Sequence, residues 1–447
     1  MARVTDMTKG NATKLILTFA IPLILTNLGQ QFYMIADAAI VGRGVGVKAL
    51  AAVGAADWTY WMFLWAIASL TQGFSTLISR SFGEKDYRKL NKVFAMSTIL
   101  CAAIALFLTA IGLIIASPLL NLLGTPADII DSSRVYLITM LSGTVFVMAY
   151  NMSAAILRAF GDGKSPLIAM IIAGLLNIGL DILFVIGFRW GIFGAALASI
   201  MAQGFSFLYC LFQLRKIKYI HPEKSDWTPD FALLYKLLKF GVPLAMQHIL
   251  IAASGIVLQA SVNTQGSFFV AGYTATNKLY GLLESSAISL GLSFSTYYAQ
   301  NYGAGNKERM LVGFKSAMKL SLITAVIVMS IMLIFGKYML MLFINSAESG
   351  AGEALAVGYR YLVTMSFFMI LLYVIHIYRN SLVATGDSFS PMMSGFLECI
   401  FRVFCATVAI RFFGIDTIYY IEPLAWVGAF IPCVPPYYRF KRNYLLS

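Results

Sequence analysis

The chain has 447 residues, of which 59% are apolar and only 12% are charged, about half the charged share of ordinary soluble domains. A surface that poor in charge cannot face water all round, so a large soluble fold is excluded in favour of a membrane protein. The formal net charge of +13 would suit nucleic acid, but the basic residues fall in alternate connections between apolar runs, which describes topology rather than such a partner.

Apolar stretches of about 20 residues or more, each able to cross a hydrocarbon core about 30 Å thick, recur roughly twelve times. The spans predicted are 14–42, 49–79, 93–117, 130–157, 166–188, 191–214, 238–263, 269–300, 311–336, 354–383, 390–413 and 418–438. Runs such as "IGLIIASPLLNLL" lack the period-two alternation of a membrane barrel. The fold class is therefore an all-α integral membrane protein.

Within the first span, "NLGQQFYMIADAAIVG" carries Gln30, Tyr33 and Asp37 on one helical face, with Met34 beside them. Pro22 cannot donate its helical hydrogen bond and makes this helix a candidate hinge. Arg80, Lys85, Arg88, Lys89 and Lys92 follow the second span. The third connection, "SPLLNLLGTPADIIDSS", has no Lys or Arg. Asn151 lies in the fourth span, and Asn177 and Asp181 lie one turn apart in the fifth.

Arg158 and Lys164 follow the fourth span, and Arg215, Lys216, Lys218 and Lys224 follow the sixth. Lys307, Arg309 and Lys315 follow the eighth; Arg439, Lys441 and Arg442 follow the twelfth. The positive-inside rule then places both termini in the cytoplasm. The first span has no cleavage-site pattern after a short apolar core, so it is read as retained.

The turn "LRAFGDGKSP" at 157–166 reappears as "LVATGDSFSP" at 382–391, identical at six of ten positions. Earlier in each half, "FAIPL" at 19–23 faces "FGVPL" at 240–244. Six helices per half is an even number, so both halves enter the membrane in the same direction, as in transporters built from parallel repeats. The lobes are expected at 1–217 and 238–447, related by a pseudo-two-fold along the membrane normal. The polar stretch 218–237 between them is expected to be a cytoplasmic linker ending in a short interfacial helix.

A carboxylate at the bilayer centre costs at least about 2.5–3.5 kcal/mol, so intramembrane acids face a polar cavity or a partner. Asp37 and Asp181 have no Lys or Arg within one turn. Burial without a counter-charge favours a neutral carboxyl and lets it exchange protons near neutral pH. Two carboxylates with amide oxygens would alternatively nest a sodium ion, at Asp37, Asn177 and Asp181. In the second half, Asn277 and Glu284 share a helical face, and Glu284 is open to a substrate-cavity or a structural role. Glu398 and Arg402, at i, i+4 spacing, read as a structural ion pair. Tyr437, Tyr438, Trp426, Trp58 and Trp61 read as an interfacial aromatic belt. The five cysteines have no CxxC or metal-ligand spacing and read as packing residues.

Taken together, "ADAAIVGRGVGVKALAAVG", "AILRAFGDGKSP", "NIGLD" and "EPLAWVGAF" make the chain resemble the multidrug and toxic compound extrusion (MATE) family, over essentially its whole length. The resemblance implies a polyspecific antiporter that expels organic, often cationic, compounds in exchange for protons or sodium ions. Carried over by position, Asp37, Asn151, Asn177 and Asp181 match the first-lobe cation site of the DinF-like branch. The resemblance also implies a substrate cavity, for which Gln30, Tyr33, Met34, Asn277 and Glu284 are candidates. The tenth span departs from the pattern: it carries His376 and Arg379 but not the acid that some members place there for sodium coupling.

No organic cofactor and no resident metal beyond the coupling ion is expected. The anticipated partners are the lipid bilayer and small cationic compounds, with no nucleic acid, in a monomer of the plasma (inner) membrane. The alternative is a lipid-linked precursor flippase, which would need several basic side chains in a central cavity. An enzyme is not expected, because HExxH, GxSxG and similar constellations are missing.

Overall fold

The computed structural model describes residues 4–344 and 350–447. All twelve predicted spans are helical. They are α1 (Ala12–Gly44), α2 (Val47–Glu84), α3 (Tyr87–Leu122), the broken pair α4 (Ile130–Ser142) and α5 (Thr144–Ala159), α6 (Lys164–Asp181), α7 (Gly191–Leu214) and α8 (Phe231–Asn263). Next come α9 (Ser267–Gly303), α10 (Lys307–Leu340), α11 (Ala351–Thr385), and α12 (Phe389–Phe404) with α13 (Ile410–Phe413). The last span is made of α14 (Ile421–Phe430) and α15 (Val434–Phe440). Among the described residues, nine helical segments are long and apolar enough to cross a membrane, and the α4–α5 pair makes a tenth. Of the remaining two, α9 is more polar and carries Lys278 and Glu284, while α12 is only 16 residues long before a π-helical turn.

The α4–α5 break, a 47° bend at Gly143, is a packing consequence. A Cβ on Gly143 would collide with the Ile200 side chain of α7, so the close approach requires glycine there. The expected interfacial helix of the linker is not separate. After a short 3-10 turn at Lys224–Trp227, α8 starts at Phe231 and runs without interruption into its span.

The doubled turn has a shared mechanism. Gly161 and Gly386 adopt φ of +74° and +95°, where a side chain would be strained. The next residue's N–H returns to the preceding helix in both, Asp162 to Leu157 O and Asp387 to Leu382 O, each at 3.0 Å. Each Asp side chain then caps the following helix, accepting from the backbone N–H of Ser165 or Ser390 and from the same serine's hydroxyl. Gly, Asp and Ser recur because a helix end and a helix start are both built from them. A further likeness is that both halves loosen into a π-helical turn after the same span, at Ile182–Gly187 and Cys405–Ala409.

The chain divides into two compact units. One comprises the residues up to Asp6 and Pro22–Ala245; the other comprises Met7–Ile21 and Met246–Ser447. Thus α1 and α8 each change unit within two residues of a proline, Pro22 or Pro243. In the first unit, Ile67, Phe74, Met96, Met148 and Phe160 form a core between α2, α3 and α5. A second cluster joins Tyr60, Tyr136, Met140 and Val185. In the second unit, Tyr273, Tyr361, Met365 and Trp426 centre the core. There α9 and α11 touch backbone to backbone: a Cβ on Gly272 would collide with Ala354 O, and Thr276 Oγ1 donates to Gly358 O at 2.8 Å. Small residues permit such contact where apolar burial alone gives no drive between helices in lipid.

Candidate functional site

In the first unit, α1 presents Gln30, Tyr33 and Asp37 on one face and α6 presents Asn177 and Asp181 on another. The structure brings the ends of these rows together: the carboxyl groups of Asp37 and Asp181 lie within hydrogen-bonding reach. Asp181 and Asn177 are buried. Among the described residues, no donor reaches either oxygen of Asp181, Oδ1 of Asp37 or Oδ1 of Asn177. Two carboxyl groups cannot bond to each other unless a proton lies between them, and as two charges they repel unless a cation bridges them.

One turn away, Asn177 Nδ2 donates to Ser199 Oγ at 3.3 Å. Both side chains line a cavity of about 40 Å³ with Gln30, Tyr33, Tyr150 and Gln203. That volume suits one or two waters or a small ion, and lies far below the roughly 300–1,000 Å³ of drug-sized pockets. Asn151 and Met34 do not line it. Asn151 is half-buried and donates from Nδ2 to Val147 O of its own helix at 2.9 Å.

Sequence reasoning passed over Asp57 on α2, a half-buried acid within electrostatic reach of Asp37 and Tyr33. An acid in "AVGAADWTYW", one turn before Tyr60, was the available signal. It also passed over Ser199 and Tyr150, which nothing local marks as cavity residues.

The second unit holds its acids differently. Glu398 accepts from Arg379 at 2.6 Å and from Arg402 at 3.0 Å, and Arg402 donates to Glu422 at 2.7 Å. Arg402 also bonds Ile251 O and Ser254 Oγ, and Arg379 bonds Ser394 Oγ. The Glu398–Arg402 pair is present, as expected, but as the middle of a four-member network. Glu284 lies half-buried one turn from Tyr280, and Asn277 one turn from Tyr273. Glu284 and Asn277 belong to the second unit, whereas Gln30, Tyr33 and Met34 belong to the first.

The aromatic belt needs correction. Trp426 is buried and stacks on Tyr280, and Tyr437 is buried and stacks on Phe314 at 4.2 Å. Both fill the core of the second unit rather than an interface, because α14 and α15 are packed on several helices. Tyr438 is exposed and Trp61 half-buried; the Trp58 side chain lies outside the described residues.

The MatE family model matches the chain twice, over residues 22–183 and 243–408. The chain belongs to the MATE family. The two matches begin at Pro22 and Pro243, the prolines aligned by the internal repeat. The probable multidrug resistance protein YpnP of Bacillus subtilis (strain 168) is 30% identical over 81% of this chain and 80% of its own length. The probable multidrug resistance protein NorM of Thermotoga maritima is 22% identical, covering 93% and 88%. Among solved structures, a MATE in complex with MaL6 has a TM-score of 0.90 at 21% identity, covering 98% of this chain and 99% of its own. A MOP superfamily transporter from Pyrococcus furiosus Vc1 (DSM3638) has a TM-score of 0.89 at 21% identity, covering 100% and 99%. As a MATE protein the chain is a multi-pass membrane transporter rather than an enzyme.

Proposed function

We propose that this MATE protein is a secondary antiporter that exports organic, cationic compounds in exchange for protons or sodium ions by alternating access. The observation that carries this reading is the facing pair Asp37 and Asp181, without a basic partner among the described residues, close to a cavity of about 40 Å³ that Asn177 lines. Relatives whose names describe multidrug resistance support the substrate class.

In the proposed cycle the pair takes a proton or sodium ion from outside, with Asn177 one turn from Asp181 on the same helix. Ion and cationic drug compete for the same two carboxylates, so loading the ion lowers the affinity for a bound cation, which leaves to the exterior. Access then changes, the ion escapes down its gradient, and the emptied carboxylates attract the next cation. Pro22 serves as the hinge of α1: its missing N–H and the back-bond from Thr26 Oγ1 to Pro22 O at 2.8 Å both weaken the helix locally. The proposed setting is the plasma (inner) membrane, with a monomeric chain and both termini in the cytoplasm.

The flippase alternative needs free buried cations for a diphosphate, yet Arg379 and Arg402 are taken up by Glu398 and Glu422. Proteoliposomes loaded with a cationic dye test the main reading, with proton and sodium gradients imposed separately. Efflux is expected under at least one gradient and is lost when that gradient collapses. Efflux indifferent to both would remove ion coupling.

A further inference from the structure

The last helix of the second unit has two unlike sides. Its inner side is fixed by aromatic packing: Tyr437 on Phe314, Phe440 and Tyr444 against Tyr302 at 6.0 and 5.4 Å, and Phe440 stacked on Tyr444 at 5.2 Å. Lys307 Nζ lies 5.0 Å from the Tyr444 ring centre, which ties this segment to the basic connection after α9. The outer side therefore cannot turn inward. It carries a groove of about 490 Å³ lined by Pro435, Tyr438, Arg439, Lys441, Arg442 and Leu446, within the size range of small-molecule sites.

Three of those six side chains are cations, and among the described residues no carboxylate pairs with any of them. Arg442 Nε reaches the neighbouring Asn443 Oδ1 at 3.5 Å, and Lys441 Nζ lies 5.7 Å from the Tyr438 ring centre. The other three are apolar or aromatic, with Tyr438 51% and Leu446 65% exposed. The backbone at Lys441–Leu445 winds as a π-helix, a local widening that accompanies functional sites more often than chance.

The structure assigns this groove to the headgroup of an anionic phospholipid. Cations without partners call for an anion, and the exposed Tyr438 ring and Leu446 side chain beside them call for the glycerol and first acyl carbons rather than water. A free anion would satisfy the charges but leave the apolar half of the groove wet. A zwitterionic lipid would cover the apolar half but bring its own cation to Arg439 and Arg442. Only a lipid with net negative charge matches both halves.

Native mass spectrometry of the purified full-length protein, titrated with phosphatidylglycerol and phosphatidylcholine of identical acyl chains, tests this. The first phosphatidylglycerol is expected to bind well ahead of phosphatidylcholine. Each cation near an anionic lipid contributes about fivefold, so Arg439→Gln/Lys441→Gln/Arg442→Gln should weaken that first adduct about a hundredfold and leave phosphatidylcholine adducts unchanged. The charge-keeping Arg439→Lys/Arg442→Lys variant should retain most of the binding. Should the triple variant fold poorly, Arg439→Gln alone should still show the fivefold loss. Phosphatidylglycerol binding undiminished in the variants would overturn the assignment. So would equal binding of the two lipids, or displacement of the lipid by inorganic phosphate at equal concentration, which would make the groove a free-anion site.

Discussion

Both units bury acids inside apolar helices, but they treat them differently. In the first, Asp37 and Asp181 face each other with no basic partner among the described residues. In the second, Glu398 is closed between Arg379 and Arg402, and Glu422 is bound by Arg402. A buried charge is tolerated when its partner and remaining hydrogen bonds are in place, and removing one partner then leaves an uncompensated charge. The second arrangement balances two carboxylates against two guanidinium groups. The first has no positive partner among the described residues, and under the proposed antiport that is what it takes up and releases. On the proposed reading the same kind of residue is a fastening in one unit and a working part in the other.

The largest way to break this contrast is to remove the charge from the first pair. Asp37→Asn and Asp181→Asn keep size and hydrogen bonding, and each removes one of the two carboxylates proposed to respond to the gradient. Each is expected to reduce gradient-driven dye efflux to the level of protein-free liposomes. Thermal stability in detergent should be kept or raised, because an unpartnered carboxylate is the costly group in this environment. A well-folded Asp37→Asn/Asp181→Asn double variant that still concentrates dye under an imposed gradient would move the coupling site elsewhere, with Glu284 the next acid to examine.

The second unit should respond in the opposite sense. Glu398→Gln leaves Arg379 without a carboxylate and Arg402 with Glu422 alone, and single removals from buried networks typically cost about 3–5 kcal/mol. A fall in melting temperature and in yield is expected, while any protein that folds should keep its coupling-ion preference. Intact stability with altered ion dependence would show that the network titrates, and the contrast between the units would fail.

The helices were legible in the sequence because lipid demands an uninterrupted apolar run for each crossing, and the parallel repeat because one turn needs the same Gly, Asp and Ser twice. Asp37, Asn177 and Asp181 were legible for a related reason: an acid and an amide one turn apart stand out in an apolar helix. What was hidden depends on distance along the chain. Arg379 and Glu398 lie 19 residues apart on different helices, and Glu422 opens the last span, where an acid looks merely interfacial. The break at Gly143 depends on Ile200 of another helix. Trp426 and Tyr437 resembled belt residues because their amphipathic rings suit an interface, and only packing shows that they are core.

A smaller test sharpens the account of the first unit. Asp57 adds a third negative charge within reach of Asp37. At an effective dielectric of about 20, such a charge is worth on the order of 1 kcal/mol to a nearby cation, roughly fivefold in affinity. Asp57→Asn should therefore raise the apparent KM for the coupling ion by about that factor and leave maximal turnover near that of the parent. An unchanged KM would confine the ion's electrostatics to the two facing acids.

The smallest effect is expected at Asn151, where resemblance and geometry part. By position it belongs with the cation-site residues, and its carbonyl oxygen remains available. Yet Nδ2 is tied to Val147 O of the same helix, and the side chain does not line the cavity beside Asn177. A side-chain bond to the backbone of its own helix contributes about 0.5–1.5 kcal/mol, and water that enters in place of the amide can satisfy Val147 O. Asn151→Ala should accordingly shift transport by less than about threefold, while Asn177→Ala, which empties the cavity wall and strips Ser199 of its donor, should cost clearly more. Equal losses in the two variants, measured in the same dye-efflux assay, would mean that α5 turns Asn151 toward the acids in another state of the cycle, and would extend the ion site from α1 and α6 to a third helix.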